Sequence, residues 1–591
     1  MAIITFKDFN FKFDKEDKNV LSEINMEIKQ GDFVLLCGPS GSGKTTLLSS
    51  MKKEIRPTGV YNGKICYNGV DIEKMDDKQS ACDIGFLFQN PEDQLVSDNV
   101  IQELSFSLEN IGLNTVEIRN RVAEMAAFFG LDKYLYKNTN ELSGGQKQLV
   151  NLCSLLVLKP KLLLLDEPTS QLDPIAAHDF LSILRRLNEE FSITIIITEH
   201  KIDNVFPMVD RTIFLEEGSI KYMNNARQIS SKASIDPIFA HYLPSVTKIH
   251  FALKNKYRFL DEVEIPITIR EGRKELIFLQ NKLKEFSNES LMDKHQIDPL
   301  VKKLDESNSS EIFDTSRLLK CEDIWFGYIK DNLVLKGISF EIKQGEFISI
   351  LGGNGTGKTT LLRILSGLIT PKKGKLNFKK DMTIAYVNQN PMIHFSQQTV
   401  DEELSLNSLN LHQPTESPNP SFLKKFFVDK LNNEKFSTSK SSDLFISENE
   451  RKRLIDLFNL SRLLNKHPYD CSGGEKQKIA IVKSLLINPD ILFLDEPTKG
   501  LDPLSKLNLA NILKELQNTG LTIVMSTHDI DFAAEYSERC MMLFDGAIQI
   551  DNIPKTLFSN NSFYTTFVNR TVKNYLPEAI TLKDVKDSWL G

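Results

Sequence analysis

One order of residue types occurs twice in this 591-residue chain, and it constrains the fold more than any other feature. The first copy, LSGGQKQLVNLCSLLVLKPKLLLLDEPTSQLDP, spans residues 142–174. The second, CSGGEKQKIAIVKSLLINPDILFLDEPTKGLDP, spans 471–503. Each opens near a small-residue turn, Ser143-Gly144-Gly145 or Ser472-Gly473-Gly474, that can lay backbone N–H groups against an anion. In the first copy Leu149, Leu152, Leu155 and Leu156 follow at helical spacing. Four leucines at 162–165 come next, bounded like a fully buried parallel strand and too short for a membrane span. Two carboxylates, Asp166 and Glu167, stand where that strand ends, which is where ligands bind in open α/β sheets. Asp495 and Glu496 hold the same place in the second copy. A recurrence over so long an interval means duplicated domains, not a solenoid.

Each copy has a glycine-rich loop upstream. An apolar run at 33–37 leads into GPSGSGKTT (38–46), and another at 347–351 leads into GGNGTGKTT (352–360). Both fit G-x-x-x-x-G-K-[ST] between a strand and a helix. Gly38, Ser40, Gly41 and Gly43, like Gly352, Asn354, Gly355 and Gly357, let successive N–H groups converge on phosphate oxygens, and the following helix adds its positive end. Lys44 and Lys358 can bridge the β- and γ-phosphates. The hydroxyls of Thr45 and Thr359 can ligate Mg²⁺, with Thr46 and Thr360 closing each loop. The substrate this chemistry calls for is a nucleoside triphosphate with Mg²⁺.

Before the first loop, Phe9, Phe11 and Phe13 alternate with polar residues, as do Ile24, Met26 and Ile28. Period two predicts half-buried strands in a small antiparallel sheet. Further on, Gln89 and Gln389 follow short apolar strands, and His200 and His528 stand directly after the strand that succeeds each acidic pair.

Taken together, turn, helix, strand, paired acids and Ser170-Gln171-Leu172-Asp173 resemble the signature, Walker B and D-loop of ABC-type ATPases. The resemblance implies an α/β fold with two tandem P-loop domains, each a mainly parallel sheet core with an antiparallel β subdomain and a helical signature subdomain. It makes Glu167 and Glu496 the groups that polarise the attacking water, and His200 and His528 the switch histidines at the γ-phosphate. Gln89 and Gln389 become Q-loop residues beside Mg²⁺, and Asp166 and Asp495 metal contacts. Phe13 and Tyr328 sit where that family stacks adenine; Phe13 also reads as an ordinary sheet residue among similar phenylalanines. Family members pair two nucleotide domains head to tail. One site would then join Lys44, Thr45, Gln89, Asp166, Glu167 and His200 to Ser472, Gly473 and Gly474. The other would join Lys358, Thr359, Gln389, Asp495, Glu496 and His528 to Ser143, Gly144 and Gly145. Both sets are whole, so two hydrolytic sites are expected.

The continuation Asn90-Pro91-Glu92-Asp93-Gln94 is similar to the ATPase subunits of energy-coupling factor (ECF) transporters, importers of vitamins, vitamin precursors and metal ions. That resemblance implies integral membrane partners, a coupling subunit and a substrate-binding subunit, and a peripheral place on the cytoplasmic face of the cell membrane. Glu92 and Asp93 read either as a solvated acidic turn or as the contact for an arginine on the coupling subunit.

The motifs divide the chain into a first nucleotide domain (1–230), an appendage and linker (231–312) and a second nucleotide domain with a C-terminal extension (313–591). Within the appendage, 261–277 reads as folded and the polar 304–311 as a joint. Two departures stand out. Cys471 replaces the leucine found at Leu142, an expected packing effect only. Also, 83 residues separate Gln389 from Ser472, against 54 from Gln89 to Ser143, with the excess around 416–443; a surface insertion is the expectation. A net charge of −7 gives no support for broad nucleic-acid binding, and none is expected. Seven scattered cysteines without a Cys-x-x-Cys pair argue against a disulfide framework or zinc knuckle and for a reducing cytosol. No apolar run approaches the length of a transmembrane helix. A soluble tandem ABC protein acting on ribosomes or nucleic acid is the competing expectation.

Overall fold

The computed structural model describes residues 1–14, 18–289, 317–329, 332–405 and 447–590. The 304–311 joint and the 416–443 insertion lie outside them. One compact unit holds Met1–Lys248 with Asp470–Gln477 and Thr498–Asn511. The other holds Ile249–Tyr469, Lys478–Pro497 and Ile512–Gly591.

In the first unit, β1 (Ala2–Lys12) pairs antiparallel with β2 (Leu21–Lys29) and with β4 (Val60–Tyr67), and β5 (Val70–Asp71) extends that sheet. The expected alternation holds at Phe9 and Phe11 and at Ile24, Met26 and Ile28, and is broken only upstream of Phe9. A register shift between Phe6 and Phe9, at Asp8 with φ 47°, turns Phe6, Phe9 and Phe11 all into the core. Phe13 falls beyond the end of the strand.

The second sheet carries the chemistry. Its order is β10-β9-β3-β8-β7-β6, with β3 (Phe33–Cys37), β6 (Ile84–Leu87), β7 (Leu162–Asp166), β8 (Thr194–Thr198), β9 (Arg211–Glu216) and β10 (Ser219–Asn224). All neighbours are parallel except β9 and β10. Every side chain of β3, β7 and β8 is buried, which explains why these strands read as continuous apolar runs. The helices Val100–Asn110, Thr115–Phe129 and Gly144–Leu156 enclose a separate apolar core that includes Leu104, Val122, Leu142 and Val150.

The second unit repeats this plan. Its antiparallel sheet is β12 (Leu335–Lys343), β11 (Arg317–Phe326) and β14 (Lys373–Phe378). Its larger sheet runs β15-β16-β17-β13-β18-β19, made of β13 (Phe347–Leu351), β15 (Ile384–Val387), β16 (Ile491–Asp495), β17 (Thr522–Thr527), β18 (Arg539–Phe544) and β19 (Ala547–Asn552). Parallel pairing again holds everywhere but at β18–β19.

The units follow packing, not the order of motifs. Residues 231–248, grouped with the appendage in the sequence reading, stay with the first unit. There Phe239 and Tyr242 pack on Phe214 of β9, at centroid distances of 4.9 and 5.4 Å. The helix Ile269–Glu289 belongs to the second unit, where Leu276 and Leu279 share a core with Val568, Val572 and Val585 near the C-terminus.

Candidate active site

In the first unit β3 delivers the glycine-rich loop to the C-terminal edge of the sheet. Three of its glycines have positive φ: Gly38 at 149°, Gly41 at 79° and Gly43 at 94°. Two also need the missing side chain. A Cβ on Gly38 would lie 2.0 Å from the Leu215 carbonyl oxygen, and one on Gly43 would lie 2.8 Å from Leu21 Cδ2. The helix Lys44–Ser49 starts at the loop's end, and buried Lys44 turns back to donate to the carbonyls of Gly38 and Pro39, at 2.8 and 2.9 Å. Burial pulls the Lys44 ammonium below its usual pKa, against the opposing charges of Glu167 and Asp502.

β7 ends on Asp166, and Glu167 follows in the left-handed region at φ 44°; Glu496 after β16 has φ 51°. A non-glycine residue there is strained unless its surroundings hold it. Here they do. The Glu167 N–H donates to Thr198 Oγ1 at 2.8 Å, and that hydroxyl donates to Asp166 Oδ1 at 2.7 Å. The Glu167 carboxylate lies 2.6 Å from His200 Nε2 and accepts from Gln89 Nε2 at 2.6 Å. Burial raises the Glu167 pKa, but His200, Lys44 and Gln89 outweigh it and hold the group below the usual glutamate value. Asp166 goes the other way, pushed up by burial and then by the Glu167 charge. His200 Nδ1 is buried without a hydrogen-bond partner among the described residues.

The second unit builds the same constellation. Gly352, Gly355 and Gly357 have positive φ, and Lys358 donates to the carbonyls of Gly352 and Gly353. Ser526 does on β17 what Thr198 does on β8: its hydroxyl donates to Asp495 at 2.6 Å and accepts from the Glu496 N–H at 3.0 Å. His528 Nδ1 lies 2.6 Å from Glu496, and Lys358 Nζ lies 3.3 Å from it. Burial raises the Glu496 pKa, yet His528 and Lys358 bring it down to about 2. Tyr328 is 60% exposed, with its hydroxyl 3.2 Å from Thr360 Oγ1. Phe13 is half-buried and meets Phe11 edge-on at 4.8 Å. Gln389 lies exposed after β15.

The signature residues cap helices. Ser143 caps Gly144–Leu156 in a reciprocal arrangement with Gln146, and Ser472 makes the same exchange with Glu475 at the start of Gly473–Leu485. Cys471 is as buried as Leu142, which fits a packing substitution. Ser472, Gly473 and Gly474 lie in the same compact unit as Lys44, Gln89, Glu167 and His200. Ser143 to Gly145 lie in the first unit and Lys358 in the second.

The sequence reading missed the two hydroxyls, Thr198 and Ser526, that grip the aspartates; their signal was a polar residue near the end of an apolar strand. It also missed Asp502, although Leu501-Asp502-Pro503 repeats Leu172-Asp173-Pro174.

A hard cation suits the donors present. The Thr359 hydroxyl donates to Asp495 at 3.1 Å, and Thr45 stands in the same relation to Asp166. One hydroxyl and one carboxylate are what Mg²⁺ takes from protein when nucleotide phosphates and water complete its shell. No cluster of three or more His, Cys, Asp or Glu side chains that could hold a metal occurs among the described residues.

The sequence profile of the ABC transporter family matches residues 21–170 and 335–499. This chain belongs to the ABC transporter ATP-binding family. It is an ATPase with two nucleotide-binding domains. A Bacillus anthracis protein, named for an inferred role as the ATP-binding protein of an ABC transporter, is 39% identical over all of this chain and 98% of its own length. A Methanosarcina acetivorans protein with the same naming is 29% identical over 95% of this chain and 86% of itself. Among solved structures, the archaeal ribosome recycling factor aABCE1, in complex with the ribosomal stalk protein aP1, matches 93% of this chain and 90% of its own at a TM-score of 0.53. At 20% identity that likeness concerns the fold alone. No helix among the described residues is long and apolar enough to cross a membrane.

Proposed function

We propose that this chain is the ATP-hydrolysing, energy-coupling subunit of an ECF-type membrane importer for a vitamin, vitamin precursor or metal ion. It would bind a coupling subunit and a substrate-binding subunit at the cytoplasmic face. The observation that carries the reading is the short path from an exposed acidic turn to the hydrolytic glutamate. The turn Pro91–Asp93 is separated from Gln89 by Asn90 alone, and Gln89 hydrogen-bonds Glu167. Glu92 remains 69% exposed at its side chain while pairing at 2.7 Å with Lys147 on the signature helix. Asp93 accepts from Asn90. A partner arginine competing for Glu92 would thus act on the Q-loop and the signature helix together.

At each site Glu167 or Glu496 orients the attacking water and accepts its proton, while the histidine and lysine steady the developing phosphoryl charge. Bound between Thr45 and Asp166, or Thr359 and Asp495, Mg²⁺ would neutralise charge on the β- and γ-phosphates. Closing and opening of the head-to-tail pair would reach the membrane subunits through the Q-loop turns.

Affinity purification from detergent-solubilised cells tests the assignment. A polytopic membrane protein and a small solute-binding membrane subunit should co-purify with the parent chain and be lost from E92K/D93K. Ribosomes without a membrane protein would overturn the importer reading. An intact complex with E92K/D93K would overturn the role of the turn.

A further inference from the structure

Asp502 receives more hydrogen bonds than a helix cap needs. It precedes the helix Pro503–Asn518 and accepts from the N–H groups of Leu504 and Ser505, at 3.0 and 3.1 Å, and from the Ser505 hydroxyl at 2.6 Å. Those three bonds are local. Two others reach across the first unit: the Ser40 N–H of the phosphate loop donates at 3.2 Å, and the Tyr242 hydroxyl donates at 2.8 Å. Burial raises the Asp502 pKa, but Ser40, Ser505 and Tyr242 outweigh it, and the carboxyl stays charged far below the usual range.

Tyr242 is fully buried. Its ring packs on Phe214, which pairs with Cys37 at the end of β3 where the phosphate loop begins. The Asp502 loop in turn passes beside the catalytic glutamate's partner. A Cβ on Gly500 would lie 3.6 Å from Gln89 Nε2, the atom that donates to Glu167. A continuous set of contacts therefore runs from Tyr242 through Asp502 to Ser40 on one side, and through the neighbouring Gly500 to Gln89 and Glu167 on the other.

We propose that Tyr242 is a positioning residue for ATP hydrolysis at the Lys44 site, holding the Asp502 loop of the second half against the phosphate loop and Gln89 of the first. Tyr242 is wholly buried and acts through its hydrogen bond to Asp502. The segment after the first nucleotide domain thereby becomes part of that domain's hydrolytic apparatus. Without the hydroxyl, Asp502 loses one donor, and the loop that borders Gln89 loses its tie to the buried aromatic cluster. Charged hydrogen bonds of this kind are worth enough to change a rate by about an order of magnitude.

The inference rests on ATP hydrolysis and not on import, so it is tested on the purified full chain. Parent turnover of Mg-ATP checks the underlying reading separately. Tyr242→Phe should lower kcat by roughly fivefold to tenfold with KM for ATP within about twofold. Asp502→Asn should also lower kcat, and adding Tyr242→Phe to it should cost little more, because the two act as one unit. A merely structural tyrosine would lower the melting temperature of both chains additively and leave kcat of the folded fraction intact. Unchanged kcat in Tyr242→Phe, or full additivity in the double variant, would overturn the proposal. So would a loss of folding by Tyr242→Phe that Asp502→Asn does not share.

Discussion

Glu167 and Glu496 share a backbone conformation that glutamate seldom adopts, and each is held there by a hydroxyl on the next strand. The same strained conformation held at the same place in both halves is the residue-level ground for proposing two hydrolytic sites. Histidine and lysine hold both carboxyls below the usual glutamate value, so both are ionised near neutral pH. Replacing either Glu167 or Glu496 with Gln removes the base and leaves the shape. Steady-state ATPase should fall about tenfold or more in each single variant, with nucleotide binding retained. Normal turnover in either one, measured by phosphate release, would show that its site is not hydrolytic in the parent.

At the scale of elements, the strand-to-loop transition explains why the glycine pattern cannot drift. Gly43 combines φ 94° with a Cβ position 2.8 Å from Leu21 Cδ2 and 3.0 Å from the Val20 carbonyl oxygen; Gly41 has φ 79° but open space around it. Gly43→Ala should therefore destabilise the chain by about 1–3 kcal/mol and Gly41→Ala by less, since only the backbone conformation opposes the latter. Denaturant midpoints with unchanged slope would establish the order, and equal costs would contradict it. This loop was fully legible in the sequence because its chemistry is local: nine successive residues specify it. So were the buried strands, whose leucines and isoleucines face apolar surroundings on both sides. The bulge at Asp8 lies upstream of the alternating phenylalanines; its mark in the sequence is the odd spacing of Phe6 and Phe9, both buried, which the reading did not weigh. Thr198, Tyr242 and Asp502 were hidden for another reason. Each acts through a partner at least 30 residues away, and no spacing within one segment encodes such a contact.

On the scale of the whole molecule, the appendage illustrates how little motif order says about packing. Ile249, Leu253, Leu260, Leu276 and Leu279 form one apolar core with Val568, Val572, Ala579 and Val585, so the middle of the chain and its last helices fold as a piece. Polar contacts close the same seam: Lys256 Nζ donates to the Trp589 carbonyl oxygen at 2.8 Å, and the Arg273 guanidinium donates to that of Arg570. Val585 is wholly buried, and the helix Leu582–Leu590 also covers this core with Leu582 and Trp589. Each such side chain contributes about 1.5–3 kcal/mol when fully buried. Deleting that helix thus removes several kcal/mol, comparable with the roughly 5–15 kcal/mol that holds a whole domain. The loss falls on the appendage, because β13, β16 and β17 draw their core from Ile348, Phe493 and Val524. Ending the chain after Thr581 should therefore speed amide exchange in the helix Ile269–Glu289 while β13, β16 and β17 stay protected. Exchange rising equally in those strands would mean that appendage and nucleotide domain unfold together. No change in the helix would mean that the C-terminal helix does not hold it.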